Sequence, residues 1–433
     1  MKTQFSALAL LTTLLFSPFA SAEAPSGFTP LFNGTDLDGW HGRPHFSPIK
    51  LAEMEESQRS AKIAQWTADA KKHWTVKNGE LINDGHGAYL VTNKDYTDYE
   101  LLVDYKTVPI ADSGIYLKGN PQVQIWDSTE KAKFKIGANL GSGGLWNNSA
   151  GAPGKNPSEL ADKPFGEWNK FKIRQIGART TVWLNEKKVV DNATMENFWD
   201  RKNPLFASGP IELQTHGGEI RWRNIYIREL TADQSNEILS EAGNDGFQSL
   251  FNGKDLGNWQ GAVDNYEVVD GSIRCKKGKG GMLLANEEYS DFVVRLEIKL
   301  PPGGNNGLAI RSPGTGDPAY SAMCELQVLD SEHTRYAKLD ARQYHGSAYG
   351  MTAAKRGYLR DTGQWNFQEV TVKGSTIKVE LNGNVILDTD LSKVTEYLAN
   401  RKHPGKLRTE GYFGFAGHGD PVEFRNISIK PLK

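Results

Sequence analysis

The sequence predicts an all-β protein made of two tandem jelly-roll β-sandwiches, the first carrying one helical insertion. Three observations predict it. The block Leu31-Phe32-Asn33-Gly34-Thr35-Asp36-Leu37-Asp38-Gly39-Trp40 returns as Leu250-Phe251-Asn252-Gly253-Lys254-Asp255-Leu256-Gly257-Asn258-Trp259. Six further blocks recur downstream in the same order, so the chain is a duplication and the repeat defines the domains. Short segments alternating apolar and polar residues, bounded by Gly, Pro, Asn and Asp, then run through both copies, which is strand patterning. Finally, 45 Gly and 11 Trp in 433 residues suit tight turns and aromatic-rich sheets.

Taken in order, residues 1–22 read as a signal for export. Lys2 supplies the positive start, Phe5 to Phe19 an apolar run too short and interrupted to span a bilayer, and Ala20-Ser21-Ala22 a small-residue cleavage site. No Cys follows it, and no other segment approaches the length of a membrane span. The mature chain is expected outside the cytoplasm, in a periplasm where one exists. The first domain covers 27–230. Its extra segment, about 43–72, opens with Ser47-Pro48 as cap and first helical residue before strong helix formers. Tyr99 to Tyr105 and Phe292 to Ile298 pattern as equivalent strands, each with one buried face. Thr180 to Asn185 and Ile377 to Gly383 read as hairpin arms, with Asn382-Gly383 an explicit turn. Residues 231–245 are polar and helix-tolerant and form the linker. The second domain covers 246–433.

Charge excludes some functions. Fifty-one basic and 52 acidic residues are interspersed, net −1, which leaves no footprint for a nucleic acid or an anionic membrane. Cys275 and Cys324 are the only cysteines. An oxidising compartment permits a bridge between them; two buried free thiols are the alternative. No nucleophile elbow, phosphate loop, dinucleotide fingerprint or metalloprotease motif occurs.

Candidate site residues collect on two equivalent strands. Alternation puts Gln122, Gln124 and Trp126 on one face, with Asp127 following, and Glu325 and Gln327 on the matching face, with Asp330 following. On the preceding strand, Lys118 alternates with Tyr116 and Arg311 with Ala309. Such a face can hydrogen-bond sugar hydroxyls, and both copies keep it while exchanging Gln122 for Glu325 and Lys118 for Arg311. A solvated outer face is the plainer reading. The loop Gln343-Tyr344-His345-Gly346, followed by Lys355-Arg356, is dense in titratable groups, and copy one has no His there. His216 and His418 sit in equivalent Gly turns. The two-carboxylate logic of glycosidases needs a pair across a cleft; copy two offers Glu325 and Asp330, whereas copy one has Gln122 in place of the Glu and cannot use the same pair.

The set Leu-Phe-Asn-Gly-x-Asp-Leu-x-x-Trp, Glu/Gln-x-Gln-Ile/Val-x-Asp, Gly-Glu-Trp-Asn (Gly166 to Asn169, with Gly-Gln-Trp-Asn at 363 to 366), Leu-Asn-Gly and His-Gly-x-x-x-x-x-Arg-Asn-Ile resembles the 3-keto-disaccharide hydrolase domain family. The resemblance covers nearly the whole mature chain, twice. It implies a concanavalin A-like jelly-roll and cleavage of glycosides oxidised at C3 of a glucose unit. A C3 ketone acidifies the C2 proton, so a base can remove it and expel the C1 substituent, with water added afterwards. On that reading copy two carries the chemistry. His345 or His418 is the base, Arg311 and Lys355 bind the oxyanion and hydroxyls, and Glu325, Gln327, Asp330 and Tyr344 hold the ring. Lys118, Gln122, Gln124, Trp126, Asp127 and His216 would bind sugar in copy one or form a divergent active site. The partner is a carbohydrate. No cofactor is demanded: sandwiches of this shape in some cases bind Ca²⁺, but no Asp-rich loop here calls for it. The competing classes are a non-catalytic, lectin-like binding module and a lamin-G-like adhesion protein.

Overall fold

The computed structural model describes residues 23–432, so the segment read as an export signal lies outside the described residues. Each repeat folds as a sandwich of one eight-stranded and one five-stranded sheet. In the first domain the larger sheet runs Lys187–Thr194, Arg179–Leu184, Asn169–Ile176, Tyr99–Thr107, Ile220–Glu229, Glu80–Asn83, Trp74–Lys77, with Thr29–Pro30 beside Ile220–Glu229. The smaller sheet runs Trp40–Arg43, Tyr89–Thr92, Glu212–Leu213, Asp112–Leu117, Asn120–Trp126. The second domain repeats the order; its smaller sheet is Trp259–Gly261, Gly281–Tyr289, Gly411–Gly417, Asn305–Ser312, Cys324–Leu329. Strand neighbours pair antiparallel. The all-β, two-sandwich class read from the sequence is the one observed.

The repeated block is a turn that seats a tryptophan. Asn33 Oδ1 accepts the backbone N–H groups of Thr35 and Asp36, and Asn252 Oδ1 those of Lys254 and Asp255. This side chain-to-backbone turn is what Asn favours, and the next residue, Gly34 or Gly253, takes φ +78° or +76°. The chain then delivers Trp40 and Trp259, 5% and 4% exposed, into the two cores. Alternation along the strands fills those cores from both sheets: Leu101, Val103, Ile115, Val123 and Ile125 in the first, Val294, Leu296, Leu308, Leu326 and Val328 in the second.

The insertion forms helices Pro48–Ala52 and Glu56–His73, the first started by Ser47, whose hydroxyl accepts the Lys50 N–H. Ala70 and Trp66 of the long helix join the first core. It lies so close to the edge strand that a Cβ on Gly42 would stand 2.2 Å from the Trp66 carbonyl oxygen. The linker becomes helix Ala232–Glu241, opened by a reciprocal Thr231–Gln234 cap, and packs on the larger sheet of the second domain through Asn236 and Leu239. Between domains, Arg360 donates to Asp98 at 3.2 Å and to Asn236 at 2.6 Å, and the Arg179 guanidinium holds Glu380. Ile176, Leu239 and Phe367 form a small apolar contact beneath them. Cys275 and Cys324 are buried free thiols on different sheets.

Candidate functional site

The outer face of the smaller sheet in the second domain is floored by Glu325 and Gln327, as alternation places them. Loops raise walls around them to enclose a cavity of about 260 Å³. His418, from the turn after Gly411–Gly417, meets the floor: its Nε2 stands 3.3 Å from Glu325 Oε1. Glu325 is 4% exposed, whereas the His418 side chain is 47% exposed. The hydrogen bond to Glu325 holds His418 above the usual imidazole range, with burial pulling the other way. With Nε2–H given to the carboxylate, Nδ1 keeps its lone pair.

Glu325 can lie in that position only because the neighbouring strand has no side chain beneath it. A Cβ on Gly307 would stand 2.1 Å from Glu325 Oε1 and 2.5 Å from its Cγ and Cδ. Gln327 is set by its amide, which donates to Asn305 Oδ1 at 2.7 Å and to the Asn306 carbonyl. The walls supply Tyr349, whose hydroxyl accepts from Gln343 at 3.0 Å, and Arg401, which stacks on the Tyr320 ring. Tyr349 and Arg401 sit on loops, and Tyr320 and its N-cap Asp317 on the one-turn helix Pro318–Ser321, all too short to show periodicity. Gly307 and Tyr349 did carry a signal: Gly114 and Trp146 hold the same places in copy one.

The structure does not bring the other proposed residues to this cavity. His345 is 4% exposed; its Nδ1 accepts the Leu329 N–H at 3.2 Å and its Nε2 faces Gln368 Oε1 at 3.0 Å. Both ring nitrogens are spent inside the sandwich, and burial pushes its pKa down to about 4. The counterpart is Ser142, whose hydroxyl accepts the Trp126 N–H at 3.2 Å. Copy one therefore lacks the His but keeps the job, which is to hold the edge strand. Tyr344 is likewise buried, donating to the Tyr336 carbonyl. Asp330 accepts the Gly303 N–H and Asp127 the Ile110 N–H, so both pin loops. Lys355 is exposed and lines the groove between the domains.

Lys118 and Arg311 are turned away for a backbone reason. Each has positive φ, +55° and +50°: Lys118 opens the two-residue turn between Asp112–Leu117 and Asn120–Trp126, and Arg311 sits where the register of its strand shifts, so neither follows the alternation that would put it on the outer face. Each is 1% exposed. Lys118 donates to the Gly177 carbonyl, Arg311 to the Gly374 and Ser290 carbonyls and to Asp291. Asp98 and Asp291 in turn accept the N–H of those same glycines. The exchange of Lys for Arg keeps a buried pillar.

On the first domain's outer face, Gln122 donates to Gln124, and Gln124 donates to Asp112 Oδ1 at 2.9 Å. Asp112 Oδ2 meets Lys133 at 3.0 Å and His216 Nδ1 at 3.4 Å. Trp126 shares the face but is 7% exposed, with its indole N–H on the Gly141 carbonyl. Arg43 pairs with buried Glu212, and His45 meets the Tyr116 hydroxyl at 2.8 Å. Among the described residues, no group of three or more His, Cys, Asp or Glu is placed to hold a metal ion.

Comparison with known proteins agrees with the repeat. A family model for the 3-keto-alpha-glucoside-1,2-lyase-like domain matches residues 27–228 and again 246–430. A 3-keto-disaccharide hydrolase of Bacteroides thetaiotaomicron is 25% identical over 248 residues, spanning 48% of this chain and 86% of the relative. Among solved structures, a "putative glycosyl hydrolase" of Parabacteroides distasonis is 26% identical, with 43% of this chain and 99% of that one covered, at a TM-score of 0.40. The carbohydrate-binding module CBM66 of Bacillus subtilis is 14% identical, covering 43% and 95%, at a TM-score of 0.24.

Proposed function

Because this chain belongs, in both halves, to the 3-keto-alpha-glucoside-1,2-lyase-like domain family, we propose that it cleaves glycosides bearing a C3 ketone and that the Glu325–His418 cavity is the centre that does so. The observation that carries this reading is the imidazole–carboxylate pair, 3.3 Å apart, at the floor of a sugar-sized cavity walled by tyrosines and an arginine. His418 Nδ1 takes the C2 proton. The C2–H electron pair forms the enolate with the C3 carbonyl, and Glu325 stabilises the resulting imidazolium and fixes its tautomer. The enolate collapses, the C1–O bond breaks, and the leaving oxygen takes the proton from His418. Water then adds across the C1–C2 double bond of the unsaturated ketone, so the net change is hydrolysis.

Arg401 and the Tyr349 hydroxyl are the donors at hand for the oxygen that gains charge, and donors fixed before reaction are the larger part of such stabilisation. Neither His345 nor Arg311 has a part in this scheme. Action outside the cytoplasm, suggested by residues 1–22, belongs to the same proposal and is checked by the N-terminal sequence of the exported protein. The catalytic reading is tested by turnover of 3-keto-trehalose by the mature chain, with His418→Ala alongside. Loss of turnover in the variant supports it; glycan binding without turnover by the parent protein favours the binding-module class.

A further inference from the structure

The two outer faces are reciprocal rather than one active and one decayed. Where the second domain has Glu325 on its edge strand and Asn305 on the next, the first has Gln122 and Asp112. Each face thus keeps one carboxylate and one amide, exchanged between neighbouring strands, and each carboxylate meets the His of the same turn: Asp112 with His216 at 3.4 Å, Glu325 with His418 at 3.3 Å. A decayed copy has no reason to rebuild the pair from the other strand. The first face also holds an open acceptor. Gln214, 6% exposed, lies beside Asp112's strand and points outward by alternation with buried Leu213; its Oε1 has no hydrogen-bond partner among the described residues. A buried amide oxygen without a donor is destabilising, and a ligand hydroxyl would relieve it.

The rims differ in kind. Beside Asp112 and Lys133, the first domain presents Val108, Ile110, Phe134 and Ile136, of which Ile110 is 67% exposed and Phe134 40%. The Ile110 N–H on Asp127 ties the loop carrying Ile110 to the turn that leads into Lys131–Ile136. At the matching places the second domain has Pro301, Gly303, Ala337 and Leu339, and its rim is polar, with Arg335 bound to Asp420 and Tyr336 donating to the Gly303 carbonyl. Exposed large apolar side chains gathered beside a polar sheet face mark a binding surface.

We infer that the first domain holds a second centre, built on His216 and Asp112, that cleaves 3-ketoglucosides whose leaving group is apolar, such as an aryl aglycone. This rests on the function proposed above. His216 Nδ1 faces Asp112, so Nε2 takes the C2 proton. The C1–O bond breaks, the phenol leaves with that proton, and water adds to the unsaturated ketone. Ile110 and Phe134 cover the aryl ring, while Gln214 and Gln124 hold the sugar.

The test uses the full mature chain with 4-nitrophenyl 3-ketoglucoside and 3-keto-trehalose. The pair Glu325→Gln/His418→Ala should lose at least tenfold in kcat/KM on 3-keto-trehalose and keep most nitrophenol release. The pair Asp112→Asn/His216→Ala should do the reverse. Ile110→Ser/Phe134→Ser should raise KM for the aryl substrate about tenfold and leave 3-keto-trehalose unchanged, which mere misfolding would not do. Equal loss of both activities in the Glu325/His418 variant overturns the second centre while leaving the proposed function intact. If the parent protein turns over neither substrate, the proposed function fails. Calorimetric binding of 4-nitrophenyl glucoside to the Glu325/His418 variant then decides the rest: binding weakened by the Ile110/Phe134 change sustains an apolar-aglycone site, and no binding overturns it.

Discussion

Replacing Gly307 by Ala should disable the second-domain centre without unfolding the protein. The new Cβ would stand 2.1 Å from Glu325 Oε1, where ordinary contact begins at 3.4 Å, so the carboxylate must move by about 1.3 Å. The obstructing atoms belong to a side chain with rotatable bonds, so the clash resolves by rotation of Glu325 and the fold loses little. The separation to His418 is already 3.3 Å, and a shift of that size breaks the hydrogen bond. Misplacement of a catalytic group by about 1 Å typically costs on the order of 100-fold, and a loss of this size in kcat/KM on 3-keto-trehalose is expected. A second readout is independent of substrate: Glu325 is what raises the His418 pKa, so its NMR titration midpoint should fall in the variant. The matching change Gly114→Ala, which crowds Gln122 at 2.8 Å, should leave 3-keto-trehalose turnover within about threefold. Gly307→Ala protein with full activity and an unmoved His418 titration would refute the placement of the centre.

Three further outcomes follow from the same contacts. His345→Ala should cost about 2–4 kcal/mol of stability, because it strands the Leu329 N–H and the Gln368 oxygen and leaves a cavity, yet turnover at 25 °C should persist in the folded fraction. His345 also sets an acid limb: its folded pKa, about 4, lies below the ordinary 6.5, so the unfolded chain binds the proton more tightly. That contribution is complete above pH 6.5 and is lost as pH falls toward 4, up to about 3 kcal/mol, and His345→Gln should flatten thermal melting across this window. His418 has the opposite sign: its stabilisation is full below pH 6.5 and fades as pH rises through its raised value. Arg360→Ala removes the guanidinium that pairs with Asp98, 7% exposed, across the domains, leaving only Lys118 of its own domain nearby; a loss of about 3 kcal/mol and separate melting of the two halves are expected by calorimetry.

The duplication, the strand patterning and the polar faces were legible in the sequence because each is a local regularity. Gln122, Gln124, Glu325 and Gln327 alternate with core residues, and that alternation held. It failed at Lys118, the first residue of a hairpin turn, and at Arg311, a left-handed residue at a register shift; period-two reasoning has no term for a turn or a bulge. His345 misled because density of titratable groups in a loop says nothing of direction, and only the hydrogen bond shared with Ser142 exposes its structural task. Asp112 was missed because the two copies were compared strand by strand, whereas the carboxylate had changed strand. Arg401 comes from a loop, and Tyr320 and Asp317 from a one-turn helix, and these segments converge only in the folded domain. Gly307 was visible as a matched glycine, but its reason, the room Glu325 needs, is a contact between strands.

The central claim is that a His–carboxylate pair in this double sandwich cleaves 3-ketoglycosides. The most direct measurement is mass spectrometry of 3-keto-trehalose incubated with the mature protein, with His418→Ala, Glu325→Gln and His345→Ala in parallel. The account predicts release of glucose by the parent protein and by His345→Ala, and loss in the other two. Turnover unaffected by His418→Ala and Glu325→Gln, or no product from the parent protein, would contradict it.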